Sequence, residues 1–232
     1  MRAIGFGIDP HNETVVMIRI GRSSVVCSDR AKDHAALAAE FNHQHYLRLS
    51  ELLDPGLLHS IQLEIDRGEF YKRVHKGIGN DLCLKGGGST AFGALLFLMN
   101  DEELFQIIQD ITKCARIGCF DGRVYRVTPG QGHRDSWHDD QIEQRLVGLT
   151  LNLSKEVYDG GILQIRDRNS GKILSEVANV GIGDAVVFRL SSRLEHRITE
   201  VKGKASKTAF AGWFRAKPDF LTLLKGEPNE VV

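Results

Sequence analysis

The hydropathy pattern of this chain changes near residue 122: helical spacing dominates before it, and short alternating runs broken by glycine dominate after it. Asp54-Pro55 predicts a helix start, because aspartate caps free backbone N–H groups and proline fits the first helical position. Leu58, Ile61 and Ile65 then fall on one face. An Ala-rich stretch over 31–41 predicts another helix, and a further one is expected from Asn100, with Leu104, Ile107, Ile108, Ile111 and Ala115 at helical spacing. Residues 45–49 look extended, and 14–20 with 25–28, flanking Gly21-Arg22-Ser23-Ser24, read as a short hairpin. Gly86-Gly87-Gly88-Ser89-Thr90 reads as a flexible loop and lacks the Gly-Lys-Ser/Thr ending of a phosphate loop.

Beyond Gly122, strands are predicted over 147–153, 161–166, 185–190 and 208–215. Regular short strands with turn signals predict a sandwich or barrel, with the early helices packed outside it. The expectation is an α+β chain forming a single domain over 1–232. Residues 1–30 would be a hairpin decoration, 31–121 mainly helical support and 122–216 the β-barrel core.

Composition narrows the function classes. Lys+Arg and Asp+Glu are both 30, so the chain lacks the basic footprint of a nucleic-acid binder. Four cysteines without a CxxC pair read as free thiols in a reducing compartment. No apolar run reaches the ~18 residues of a membrane span, and the first residues carry no secretory signal pattern. A soluble, cytoplasmic protein with no membrane partner is expected; the oligomeric state is left open.

The candidate chemistry lies in Trp137-His138-Asp139-Asp140. If that segment is an extended strand, His138 and Asp140 share a face and Asp139 points away. A distant His196, within Leu194-Glu195-His196-Arg197-Ile198, would add a second imidazole. Two imidazoles and one carboxylate on one side of a metal leave open positions opposite, as non-haem Fe(II) oxygenases require. A second HxD, His133-Arg134-Asp135, follows the turn-forming Pro129-Gly130-Gln131-Gly132, so His138-x-Asp140 is the preferred pair and His133 a lid residue. From Lys207 to Arg215 the chain alternates, with Lys207, Ala209, Ala211, Trp213 and Arg215 on one face. A lysine facing an apolar cavity is costly unless it meets an anion, which a dicarboxylate cosubstrate would supply. The plainer reading makes Lys207 a surface residue of the basic run 202–207.

Over 124–214 the chain resembles the 2-oxoglutarate/Fe(II)-dependent dioxygenases, in their prolyl-4-hydroxylase-like branch. The resemblance rests on Tyr125, His138-x-Asp140, the strand around 149–153, Gly160-Gly161-Ile162-Leu163, His196 with Ile198 two further on, and Lys207 followed six later by Trp213. It implies a double-stranded β-helix (jelly-roll, cupin-like) core. It also implies Fe(II), 2-oxoglutarate and O2, with His138, Asp140 and His196 as metal ligands and Lys207 on the C5 carboxylate. Tyr125 would hydrogen-bond the cosubstrate, and Leu163 and Ile198 would wall its pocket. Trp213 would stand on the substrate side, with Arg215 and Arg134 as candidate grips for a substrate anion. The reaction implied is hydroxylation of an aliphatic carbon in a small molecule, a peptide or a protein side chain, releasing succinate and CO2. Two departures stand out. The interval from Tyr125 to His138 implies an inserted loop over 128–136, and Leu151 stands where some relatives carry a tyrosine that helps the lysine. The alternative is a non-oxygenase cupin-like metal-binding barrel acting as isomerase, sensor or ligand-binding module, which would have no use for Lys207.

Overall fold

The computed structural model describes residues 16–21, 25–27, 33–142, 144–178 and 181–225. Residues 14–15, the 22–24 turn, residue 28 and Ala31 lie outside the described residues. The chain runs β1 (Val16–Ile20), β2 (Val25–Cys27), α1 (His34–Gln44), β3 (Tyr46–Ser50), α2 (Pro55–Arg67), β4 (Phe70–His75), β5 (Gly79–Leu84), α3 (Thr90–Met99) and α4 (Glu102–Thr112). There follow β6 (Cys119–Val127), β7 (Arg134–Asp135), β8 (Arg145–Asn152), β9 (Asp159–Gly160), β10 (Leu163–Asp167), β11 (Ile173–Val177), β12 (Ala185–Arg189), β13 (Leu194–Ile198), β14 (Val201–Lys202), β15 (Lys207–Arg215) and α5 (Phe220–Lys225).

A ten-stranded major sheet has the order β2-β1-β3-β12-β8-β15-β6-β5-β4, with β7 pairing β5. A three-stranded minor sheet, β11-β10-β13, and the pair β14-β9 close over it, giving a double-stranded β-helix. The N-terminal strands join this sheet: β1 pairs β3 in parallel, and β3 pairs β12. Strands β3, β4 and β5 also lie within the segment expected to be mainly helical.

Alternation along β15 divides the core. Phe210 and Phe214, fully buried, turn to the helical side, where Phe210 meets Phe92 of α3 and Phe214 meets Phe105 of α4. Phe120 fills the space between them, at 5.5 and 5.0 Å from their ring centres. Such edge and tilted contacts add ~0.5–1.5 kcal/mol each beyond area burial. The opposite face of β15 carries Ala209, Ala211 and Trp213, and the two alanines leave room beneath the minor sheet. Leu163, Ile165, Val186, Phe188 and Leu194 form a second, smaller core there.

The predicted α2 is capped by Asp54, whose carboxylate accepts from the N–H groups of Gly56 and Leu57 at 2.9 and 3.1 Å. Leu58, Ile61 and Ile65 are buried. Helix α3 was not foreseen from the pattern. Its Thr-Ala-Phe-Gly-Ala-Leu-Leu-Phe-Leu-Met is apolar on nearly every face and so lacks a 3.6-residue period. Ser89, assigned to a flexible loop from sequence, is its N-cap, and Asn100 ends α3 rather than opening α4. Ala115 lies beyond the end of α4.

Candidate metal centre and cosubstrate pocket

His138 and His196 are brought together by backbone pairing. The His138 N–H donates to the His196 carbonyl at 3.1 Å, and the His196 N–H donates to the His138 carbonyl at 2.8 Å. Residues directly opposed in an antiparallel bridge project to one face, so the two rings stand side by side, 4.3 Å between centres. Asp140 arrives differently from the strand expectation. It adopts a left-handed conformation, φ 52°, one that aspartate tolerates better than most residues, and the turn rather than strand alternation swings its carboxylate towards the imidazoles.

Asp140 Oδ2 lies 3.3 Å from His196 Nε2 and 3.6 Å from His138 Nε2. His138 Nδ1–H donates to the Ser136 carbonyl at 2.7 Å, which leaves Nε2 as the nitrogen that faces the carboxylate and, once deprotonated, can ligate a metal. One donor atom from each of these three residues lies within 4.8 Å of the others. His196 and Asp140 are buried and His138 half-buried. The donor set fits a divalent ion of the iron type: two imidazole nitrogens, one carboxylate oxygen, and a cavity on the open side. Burial pulls the His138 pKa down, but hydrogen bonding to Asp140 and the charges of Asp135 and Asp140 push it up to about 9. Burial pushes the Asp140 carboxyl up, and its hydrogen bonds and charge interactions with the two histidines outweigh this, holding it well below the usual carboxylate range.

Two further side chains grip Asp140. Trp213 Nε1–H donates to Oδ2 at 2.8 Å, and Arg145 Nη1 lies 3.2 Å from Oδ1 while its guanidinium stacks on the Trp213 ring at 3.5 Å. Trp213, which also lines the cavity, therefore orients a carboxylate. A hydrogen bond to a charged group contributes ~1.5–3 kcal/mol. Trp213→Phe, which keeps the ring and removes the donor, is expected to weaken Fe(II) binding roughly 10-fold or more, read by anaerobic metal titration.

The cavity beside the three donors has a volume of about 120 Å³. Its walls include Tyr125, Thr150 and Ala211 from the major sheet and Leu163 and Ile198 from the minor sheet. Phe188 also lines it, 4.8 Å from the His196 ring centre, and it lies over Gly148, where a Cβ would come within 2.2 Å of the phenyl ring. Burial pushes the Tyr125 phenol well above its ordinary value and so keeps it a neutral donor.

Lys207 shares the inward parity of Ala209 and Ala211 on β15 but is not among the residues that line the cavity; it is 1% exposed. Its ammonium donates to the Gly161 carbonyl at 2.9 Å, and burial lowers its pKa to about 8, opposed by the charge of Asp135. Among the described residues no carboxylate forms an ion pair with it. The surface reading of Lys207 is thereby excluded. Gly161 has φ 60° and close approaches to Tyr158 and Lys207, so only a residue without a side chain presents that carbonyl to the lysine.

The structure departs from other expectations. Leu151 packs on the helical side, in the main core, and Thr150 faces the cavity near Tyr125. The inward parity of β8 is the reverse of that read from sequence, because Thr150 pairs with Ala211 and Leu151 with Phe210. Arg215 does not line the cavity and instead lies 3.5 Å from Asp121, whereas Arg134 does line it. His133 accepts from the Thr128 N–H at 2.9 Å and stands outside the three-donor cluster, though it lines the cavity. Its partner in the first HxD, Asp135, accepts from the Ile198 N–H at 2.7 Å and lies 3.7 Å from His138 Nδ1. Asp135, Arg145, Arg73 and Arg123 were not singled out by sequence reasoning. Arg145 opens strand β8, and its stacking on Trp213 depends on the pairing of β8 with β15.

Residues 122–215 match the family model of the 2OG-Fe(II) oxygenase superfamily. This chain carries a 2OG-Fe(II) oxygenase domain. Over those residues it is a 2-oxoglutarate-dependent dioxygenase domain, of a family that employs Fe(II), 2-oxoglutarate and O2. No curated protein matches the chain. Solved structures share its fold. A Pseudomonas putida prolyl-4-hydroxylase aligns with TM-score 0.60 at 21% identity, covering 80% of this chain and 100% of that one. A 2OG-Fe(II) oxygenase-family oxidoreductase from Burkholderia pseudomallei aligns with TM-score 0.62 at 13% identity, covering 88% and 97%. A Trichoplax adhaerens prolyl hydroxylase, solved with a peptide fragment of hypoxia inducible factor, aligns with TM-score 0.57 at 15% identity, covering 80% and 90%. These likenesses are of fold, shared with two prolyl hydroxylases among others. Among the described residues no helix is long and apolar enough to cross a membrane.

Proposed function

We propose that this oxygenase hydroxylates an aliphatic carbon of a small molecule or peptide, with residues 122–216 as its catalytic core and 31–121 as support. His138, Asp140 and His196 hold Fe(II), and Lys207 pairs with the C5 carboxylate of 2-oxoglutarate. Tyr125 donates to the cosubstrate, between the apolar walls of Leu163 and Ile198. When bound, the metal and 2-oxoglutarate supply the oxidising chemistry, with O2 consumed and succinate and CO2 released. The protein's own part is positional. Trp213 and Arg145 fix the Asp140 carboxylate, the Ser136 carbonyl fixes the His138 tautomer, and Phe188, Leu163 and Ile198 exclude water from the reacting face.

The observation that carries this reading is the buried lysine, without a carboxylate partner among the described residues, in a barrel that also brings three metal donors together. A metal-binding sensor or isomerase has no need of such a charge. The retained carboxylate at Asp140 supports hydroxylation, since the halogenating relatives vacate that ligand for chloride. Anaerobic titration of 2-oxoglutarate into the Fe(II)-loaded protein tests the cosubstrate assignment: a visible charge-transfer absorption should grow to a one-to-one endpoint. A flat spectrum at millimolar 2-oxoglutarate would rule it out.

A further inference from the structure

Opposite the metal donors the cavity is walled by a feature that the cosubstrate reading does not use. Strands β4 and β5 extend the major sheet beyond β6 and present Arg73 and His75, and Asp81, to the same cavity. Arg123 of β6 and Arg134 of β7 also line it. Register places Arg73 directly across from Asp81 on one face, while Asn80, the partner of Arg134, alternates to the other. Arg123 reaches over the Tyr125 ring, 5.8 Å from its centre, with Nη2 3.5 Å from Asp81 Oδ2.

The polar atoms in this wall are incompletely matched. Arg73 Nη1 and Arg123 Nε are buried and donate to no protein group, while Asp81 Oδ1 is buried and accepts from none. Leaving such a group unpaired costs about 1–3 kcal/mol, more where it is charged, so three in one wall mark a place built for a polar ligand. The two sets are complementary to one ligand class. Guanidinium donors select a carboxylate, and a carboxylate selects an ammonium or N–H donor. Burial lowers the His75 pKa, Arg73 and Arg123 adding to it, so this ring is a neutral neighbour rather than a third cation.

We infer that this wall binds the zwitterionic headgroup of a free amino acid, the carboxylate on Arg73 and Arg123 and the ammonium on Asp81, with the side chain extending towards His138, Asp140 and His196. The inference rests on the proposed function for its reaction, but not for its binding chemistry. It narrows the substrate to a small molecule, since an internal peptide residue has neither free group. Arg134, exposed at the cavity, adds a third guanidinium within reach of the headgroup.

The test is anaerobic calorimetry on the Fe(II)- and 2-oxoglutarate-loaded protein. The probes are the twenty common amino acids, the amides and the des-amino acids of those that bind, and inorganic phosphate. At least one amino acid should bind, its amide at least 10-fold more weakly, and its des-amino analogue more weakly as well. Arg73→Gln and Arg123→Gln should each weaken the amino acid at least 10-fold, with Arg73→Lys and Arg123→Lys recovering part of the loss. All four should leave 2-oxoglutarate affinity within about two-fold, a readout that also reports intact folding. Binding by no amino acid, equal binding of acid and amide, or phosphate binding more tightly than any carboxylate would each overturn the headgroup assignment. Arginine-dependent amino-acid binding in a protein that takes up no 2-oxoglutarate would instead retain this inference and refute the cosubstrate reading.

Discussion

His138→Ala is expected to abolish Fe(II) uptake, while His133→Ala leaves it within about three-fold. Loss of an orienting partner behind a metal ligand typically weakens metal affinity ~10–100-fold, so loss of the ligand itself should exceed that range. The two histidines belong to neighbouring HxD patterns, and the structure separates them. His138 faces Asp140 and His196, and His133 is engaged with the Thr128 backbone. His196→Ala and Asp140→Ala should behave as His138→Ala does. Competition with protons gives the pH dependence its sign. The folded-state pKa of His138 is raised to about 9, so at neutral pH the metal must displace a proton. Apparent Fe(II) affinity should therefore rise as pH climbs from about 7 to about 9. Without metal, the same shift stabilises the fold fully below the ordinary histidine pKa of 6.5, and that contribution is lost as pH rises through about 9. Equal Fe(II) binding by His138→Ala and the parent chain would place the metal elsewhere.

The reasons for success and failure of sequence reading differ from element to element. The alternation of Lys207, Ala209, Ala211 and Trp213 against Phe210 and Phe214 is written in β15, because a strand buried on both faces still distinguishes a packed side from a hollow one by residue size. The capped start of α2 is equally local. The convergence of residues 138 and 196 is not local: it depends on one antiparallel bridge and on a left-handed turn at Asp140. His138-x-Asp140 was selected by strand parity, yet its carboxylate reaches the cluster through that turn. In β8, Thr150 faces the cavity while the side chains of Val147, Leu149 and Leu151 pack the helical core. A nearly continuous apolar run carries no parity signal, and only pairing with β15 settles which side is which. The arginines of the far wall were invisible for another reason. Arg73 belongs to a strand with no apolar alternation, and its function depends on β5 lying across from it.

Lys207→Met is expected to remove 2-oxoglutarate binding and, in the same protein, to raise the melting temperature of the metal-free form. The first effect follows from charge. Removing one partner of a buried charge pair typically weakens binding by ~2–5 kcal/mol, on the order of 100-fold or more. The second follows from linkage. Burial depresses the Lys207 pKa from 10.5 to about 8, so between those values the unfolded chain binds the larger number of protons. Stability therefore rises with pH across that interval, and below about pH 8 the fold carries the full penalty of a buried ammonium, on the order of 3 kcal/mol. An apolar side chain of similar length relieves that penalty, and for a domain of this size ~2–4 °C per kcal/mol gives a rise of several degrees. A lysine present for structure alone would give the opposite sign, because its hydrogen bond to Gly161 would be lost without compensation. Cosubstrate affinity of the parent protein should also fall above about pH 8, as the ammonium loses its proton. Lys207→Arg, whose guanidinium stays charged throughout, should bind without that fall. Anaerobic 2-oxoglutarate titrations at pH 7 and 9, run beside thermal melts of the parent chain and both variants, separate the two roles. A Lys207→Met protein that melts lower, or that still binds 2-oxoglutarate tightly, would return this lysine to the scaffold and leave the cosubstrate carboxylate in need of another partner.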